Sequence, residues 1–253
     1  MLNAITFVDA MEPCHSLENR KDMSHPKVGE IKIPRKHSRN ANSQKREEKF
    51  EPKEERIRFL IVCEGEETER NYFNAIIDKT PTVRNGSEVK GVGMNTVSLV
   101  NRALEIKEDL EQKNDMAFDQ VWVVFDKDNF ESFNKAIEMA DTHGIQSAWT
   151  NESFELWFYL HFDYLDTGIS RSQYIEKLEK KISTKKGEKF KYKKEDPRIY
   201  ELLQKYGNEN LAIRHAQKLR ESYEDTNYAK HNPCTIVDKL VEKLNSFKQY
   251  KAL

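Results

Sequence analysis

The chain has 253 residues, 34% of them charged, and a formal net charge of −1. That length admits one large domain or two small ones, and the near-neutral balance gives no global attraction to nucleic acid. Three dispersed cysteines, Cys14, Cys63 and Cys234, argue against a disulfide framework or a thiolate zinc centre, and no apolar run approaches the length of a membrane span or a signal h-region. The expectation is a cytoplasmic protein with no membrane partner.

Residues 1–22 read as an over-extended start or a loosely attached arm, with Met23 an alternative start. Residues 24–55 are polar, carry Pro26, Pro34 and Pro52, and include RKHSRNANSQKREEK without apolar periodicity. They read as a flexible or extended basic arm over 1–55 that tracks phosphates or serves as a solvated linker. The globular part begins near Arg56. Ile57 to Cys63 is an aliphatic run with little alternation, as expected of a strand covered on both faces. A helix over 69–77 follows, with Tyr72, Phe73, Ile76 and Ile77 on one stripe. After a loop over 79–87 come a weak strand at 88–92 and a helix from Asn95 or Thr96 to about Gln112. Val121 to Phe125 is a second buried-strand run. A helix over 130–142, stopped by His143-Gly144, leads to a short strand over 145–149.

Strand–helix units at this spacing predict an α/β fold with a small parallel sheet flanked by helices. FELWFYLHF, residues 154–162, reads as a core helix capped by Asn151 or Ser153. Beyond it the pattern becomes mainly helical: 170–182, 197–206, 210–226 and 235–247. STKKGEKFKYKK, residues 183–194, interrupts this as a basic loop. The chain thus divides into an arm at 1–55, an α/β catalytic domain at 56–162 and a helical region at 163–253.

The two buried-strand runs end in carboxylates: Glu64 after one, Asp126 and Asp128 after the other. If those strands are parallel neighbours, the three acids meet at the carboxyl edge of the sheet, where open α/β sheets bind ligands. Converging carboxylates repel unless a hard divalent cation neutralises them. Mg²⁺, or Mn²⁺ in its place, suits oxygen donors and can activate water beside a phosphodiester. Gly65 permits close approach of a phosphate or a sharp turn. Lys127 either contacts a phosphate or points to solvent. Glu69 and Glu152 are candidates for a second ion or a general base. The competing reading makes the acids ordinary loop residues. Lys185, Lys186, Lys189, Lys191, Lys193 and Lys194, interleaved with Phe190 and Tyr192, could follow a nucleic-acid backbone and stack a base, or form a solvated charged hairpin. His161 is either a phosphate contact or a structural histidine. The phosphate-cradling GxxxxGK[ST] loop, GxGxxG and GxSxG are all absent, which disfavours an intrinsic ATPase, a dinucleotide enzyme and an α/β-hydrolase.

Glu64-Gly65 after one strand and Asp126-Lys127-Asp128 after a later one resemble the Toprim metal-binding pattern. IVCEGEETERNYF, VWVVFDKDNF, TNESFELWFYLHF and HNPCTIVDKLV together resemble the RloB family over about residues 35–247. The resemblance implies a Toprim-like α/β core with a helical C-terminal extension. It also implies an Mg²⁺-dependent nuclease of antiphage defence and abortive infection, acting on DNA or RNA such as tRNA, beside an ABC-like or AAA ATPase partner. The apolar stripes of the helical region could make a homo-oligomer or dock that ATPase, or serve intramolecular packing. Under the resemblance Glu64 is catalytic acid or base and metal contact, and Asp126 and Asp128 hold metal. Where OLD-type nucleases place a second acid four residues after the first, this chain has Thr68, and its acid is Glu69. Glu152 in NESFELW is the preferred extra ligand, and Glu155 serves structure. The alternative is a non-catalytic nucleic-acid-binding or regulatory subunit of an ATPase-containing complex. A nucleotide-handling enzyme using the same acids is a third reading.

Overall fold

A computed structural model describes residues 56–127 and 132–248. The expected arm over 1–55 and Asp128 lie outside those residues. β1 (Phe59–Cys63) is followed by α1 (Thr68–Asp78), the one-turn α2 (Pro81–Arg84) and β2 (Glu88–Gly91). Then come α3 (Thr96–Asn114), β3 (Gln120–Asp126), α4 (Phe133–Thr142) and β4 (Gln146–Asn151). The remaining chain supplies α5 (Glu155–Leu160), α6 (Arg171–Lys186), α7 (Ile199–Tyr206), α8 (Glu209–Arg220), β5 (Cys234–Thr235) and α9 (Val237–Ser246). Among the described residues no helix is long and apolar enough to cross a membrane.

The five strands lie in the order β2-β1-β3-β4-β5. β1 pairs in parallel with β2 and β3, β3 pairs in parallel with β4, and β5 closes the edge antiparallel to β4. The sheet is therefore mixed but mostly parallel, flanked by helices, and consistent with a Toprim-like core carrying a helical extension. From β1 the chain steps to β2 on one side, then crosses to β3 on the other, so the order reverses between β1 and β3. Such a reversal opens a crevice outside the carboxyl ends of the two strands.

Both sheet faces are covered, which explains why β1 shows no alternation. Phe59, Ile61 and Cys63 join Trp122, Val124 and Ala148 in one core, under residues of α1 and α5 to α9. Leu60 and Val62 join Val121, Val123 and Phe125 in the other, under α3 and α4. Period-two alternation sends successive side chains to opposite cores, and both are apolar. The parity continues to the end of β3, so Asp126 lies on the face of Val124, beneath α1, α5 and α6.

The structure departs from the sequence reading at several points: the loop expected over 79–87 contains α2, and α8 stops at Arg220 instead of running to Thr226. α6 runs through Lys186 instead of stopping at Ile182, and ends at Gly187 with φ +76°, a left-handed stop that glycine accepts freely. Phe190 of the basic stretch is buried in the core instead of being offered to a base, and Tyr192 packs against that core from a half-buried position. Cys234 and Thr235, expected to open the last helix, form β5, and the helix starts at Val237.

Candidate active site at the carboxyl edge of the sheet

The crevice between the ends of β1 and β3 is a cavity of about 430 Å³. Its walls include Glu64, Gly65, Glu69, Asp126, Glu155, Arg171 and Lys194. The β-ladder fixes the first acid. Glu64 N–H donates to Val124 O at 2.8 Å, and Glu64 O accepts from Gly93 N–H at 3.0 Å. Its side chain turns across to β3, where Glu64 Oε2 accepts from Asp126 N–H at 3.3 Å. The two strand-end acids expected to meet are thus adjacent.

Asp126 is 5% exposed. Its Oδ2 accepts from an Arg171 terminal nitrogen at 2.9 Å. Its Oδ1 is buried without a hydrogen-bond partner. Burial pushes the Asp126 carboxyl well above the usual range, and the charges of Glu69 and Glu155 push in the same direction. Arg171 opposes them, as does the Phe154 N–H dipole, which acts without completing a hydrogen bond to Oδ1.

Glu69 is 6% exposed on the first turn of α1. A Cβ built on Gly65 would lie 1.8 Å from Glu69 Oε2, so the missing side chain at Gly65 is what makes room for this carboxylate. Burial raises the Glu69 pKa to about 6, its own backbone N–H and the charges of Arg171 and Lys194 pull it down, and Glu155 adds to the rise. Glu155, 2% exposed on the first turn of α5, accepts from the Tyr192 hydroxyl at 3.2 Å and lies 3.6 Å from Arg171 Nε. Thr68 Oγ1 donates to Lys194 O at 3.0 Å, tying the end of the basic stretch to the start of α1.

The other expected site residues fall elsewhere. Glu152 is half-buried just past β4 and does not line the cavity; Glu155, one helical turn on, does. Lys127 is half-buried with its N–H on Thr150 O at 2.8 Å, also off the cavity wall. Lys185, Lys189 and Lys193 are exposed, Lys186 pairs with Glu188, and Lys191 pairs with Glu179 at 2.8 Å. Of the six lysines only Lys194 reaches the cavity. His161 is 1% exposed, with Nδ1 2.9 Å from Trp157 O, and burial lowers its pKa to about 4. That is the setting of a neutral structural histidine.

Among the described residues no group of three or more histidine, cysteine or acidic side chains is arranged to hold a metal ion. The donors that do meet suit a cation of modest demand. Mg²⁺ commonly takes one or two protein carboxylates and fills its shell with water and phosphate oxygens. Asp126 Oδ1, buried without a donor, and Glu64 beside it fit that requirement.

Of the acids singled out from the sequence, Glu64, Asp126 and Glu69 line the cavity; Arg171 lines it too and was not singled out. Its only local signal is its place at the start of an amphipathic helix.

No curated protein and no solved structure matches the chain. A family described as RloB-like protein matches residues 59–244, from the first residue of β1 into α9. Over that span, most of its length, the chain belongs to the RloB family.

Proposed function

We propose that this protein is a divalent-metal-dependent nuclease that hydrolyses phosphodiester bonds in DNA or RNA, and that it acts as an effector of antiphage defence. The observation that carries the reading is Asp126 Oδ1. An ionisable oxygen is buried without a donor at the switch point of the sheet, with a second strand-end carboxylate on the same residue's N–H. A buried polar atom left unpaired costs roughly 1–3 kcal/mol, more when charged, so a fold that keeps one gains from it elsewhere.

Asp126 and Glu64 would hold the cation. Bound there, Mg²⁺ or Mn²⁺ would supply an activated water and neutralise charge on the phosphate. The chain's own groups do the rest. Glu69, its carboxyl pushed up to about 6 by burial, exchanges a proton at the cavity wall. Lys194 adds positive charge to the cavity lining. The exposed lysines of the 185–194 stretch offer phosphates a path toward that wall.

Purified protein would be incubated with plasmid DNA and with total tRNA, in Mg²⁺, Mn²⁺ or EDTA, as wild type and as Asp126→Asn. Cleavage of one polymer should require the metal. It should fall more than about a hundredfold in the variant, beyond what loss of a supporting residue costs. Cleavage that survives EDTA, or that Asp126→Asn leaves intact, rules the proposal out. Inactivity on both polymers together with no Mn²⁺ binding favours the non-catalytic subunit.

A further inference from the structure

Arg171 is the first residue of α6, in the helical region, yet its guanidinium lies at the sheet edge. One terminal nitrogen is 2.9 Å from Asp126 Oδ2, and Nε is 3.6 Å from Glu155 Oε2. The two carboxylates are 7% and 3% exposed, whereas the arginine side chain keeps 38% of its surface accessible and lines the cavity. The guanidinium thus contacts two buried acids and also borders the cavity. Its charge also offsets the repulsion that Glu69 and Glu155 exert on Asp126.

We infer that Arg171 is a phosphate-binding residue held in reserve on the metal-site carboxylates. Without a divalent cation it neutralises Asp126 and Glu155. When a cation takes Asp126, the two positive charges repel, the carboxylate no longer needs the arginine, and the guanidinium swings into the cavity to grip a substrate phosphate. Three properties of arginine suit this. It cannot lose its proton, so it leaves a carboxylate only by moving. Its planar fork matches carboxylate and phosphate equally well. It already lines the cavity that a bound phosphate would enter. The two ligands are then coupled: metal strengthens phosphate binding, and phosphate strengthens metal binding by the same factor. This inference rests on the metal-dependent reading above.

The test measures binding, not turnover. Mn²⁺ affinity would be determined by calorimetry for the full chain as wild type, Arg171→Gln, Arg171→Lys and Asp126→Asn. Affinity for short labelled single strands of DNA and RNA would be followed by fluorescence anisotropy in Ca²⁺ and in EDTA. Arg171→Gln should bind Mn²⁺ about tenfold tighter than wild type, within the usual range of coupling between sites. It should also lose the gain in oligonucleotide affinity that Ca²⁺ gives the wild type. Arg171→Lys, which keeps the charge and is the safer variant to fold, should bind Mn²⁺ nearly as wild type but hold the oligonucleotide more weakly for want of the fork.

Mn²⁺ binding through Asp126 that is unchanged or weakened in Arg171→Gln overturns the inference alone and makes Arg171 a fixed structural counter-ion. Oligonucleotide binding by Arg171→Lys equal to wild type does the same. No Mn²⁺ binding by wild type overturns the metal-dependent reading and this inference with it.

Discussion

His161 shows how a single buried side chain sets a pH dependence. Its imidazole has a pKa of about 4 in the folded chain against 6.5 for an ordinary histidine. Between those values the unfolded chain holds the extra proton, so stability is present above pH 6.5 and is lost as pH falls toward 4. From pH 7 to pH 5 this group alone should cost about 2 kcal/mol. The difference in urea stability between wild type and His161→Asn should narrow by that amount over the interval; parallel curves would mean the histidine titrates alike in the folded and unfolded chain. The same scale shows what a sequence can and cannot disclose. Glu64 and Asp126 were legible because each directly follows a buried strand, and strand parity carries their direction. Arg171 was not, because 45 residues separate it from the acid it pairs with and an arginine at a helix start has many uses. Glu155 was assigned to structure and Glu152 to the site. The cavity takes Glu155 because the chain turns helical between them, and that turn decides which carboxylate points inward.

At the scale of elements, α1 and α5 are joined by a buried polar contact within an aromatic cluster. Trp157 Nε1 donates to the Tyr72 hydroxyl at 2.8 Å, and the Tyr72 ring packs edge-on against Phe73, Phe154 and Tyr200. Both helices carry a cavity acid, Glu69 on one and Glu155 on the other, so this junction sets the spacing between two carboxylates. Tyr72→Phe keeps the ring and removes the acceptor, stranding a buried indole N–H. It should destabilise the protein by about 1–3 kcal/mol in chemical denaturation; a loss below a few tenths would show that the indole finds another acceptor. The long elements were readable because periodicity and caps agree over many residues, and α3, α5 and α7 fall close to where the pattern put them. β5 was invisible because two residues have no period. It exists through pairing with β4, with Thr150 and Thr235 hydroxyls 2.9 Å apart. In FKYKK the alternation proved to be that of a segment laid on the core: Phe190 and Tyr192 turn inward and the neighbouring lysines outward.

For the molecule as a whole, the helical region is built into the sheet through charge as well as packing. Arg220 at the end of α8 makes a two-pronged contact with Asp238 on α9, at 2.6 and 2.7 Å, and also donates to Thr235 O in β5 at 2.8 Å. Asp238 is fully buried, and burial raises its pKa despite the arginine. Removing one partner of such a pair leaves an uncompensated charge. Arg220→Ala should therefore cost about 3–5 kcal/mol in thermal or urea unfolding, and pairing Arg220→Met with Asp238→Leu should recover most of it. A single variant that loses under about 1 kcal/mol would place the pair among surface contacts.

The last described residues return to the first strand. Thr82 Oγ1 donates to Phe247 O across 165 residues, and the Phe247 ring stands edge-on to Phe59 of β1, 5.9 Å between centroids. At about 5–20 residues per second on the ribosome, β1 waits on the order of ten to thirty seconds for that cover. Asp126 likewise emerges several seconds before the arginine that neutralises it. During synthesis the apolar flank of the sheet and its acidic edge are both uncovered in that interval.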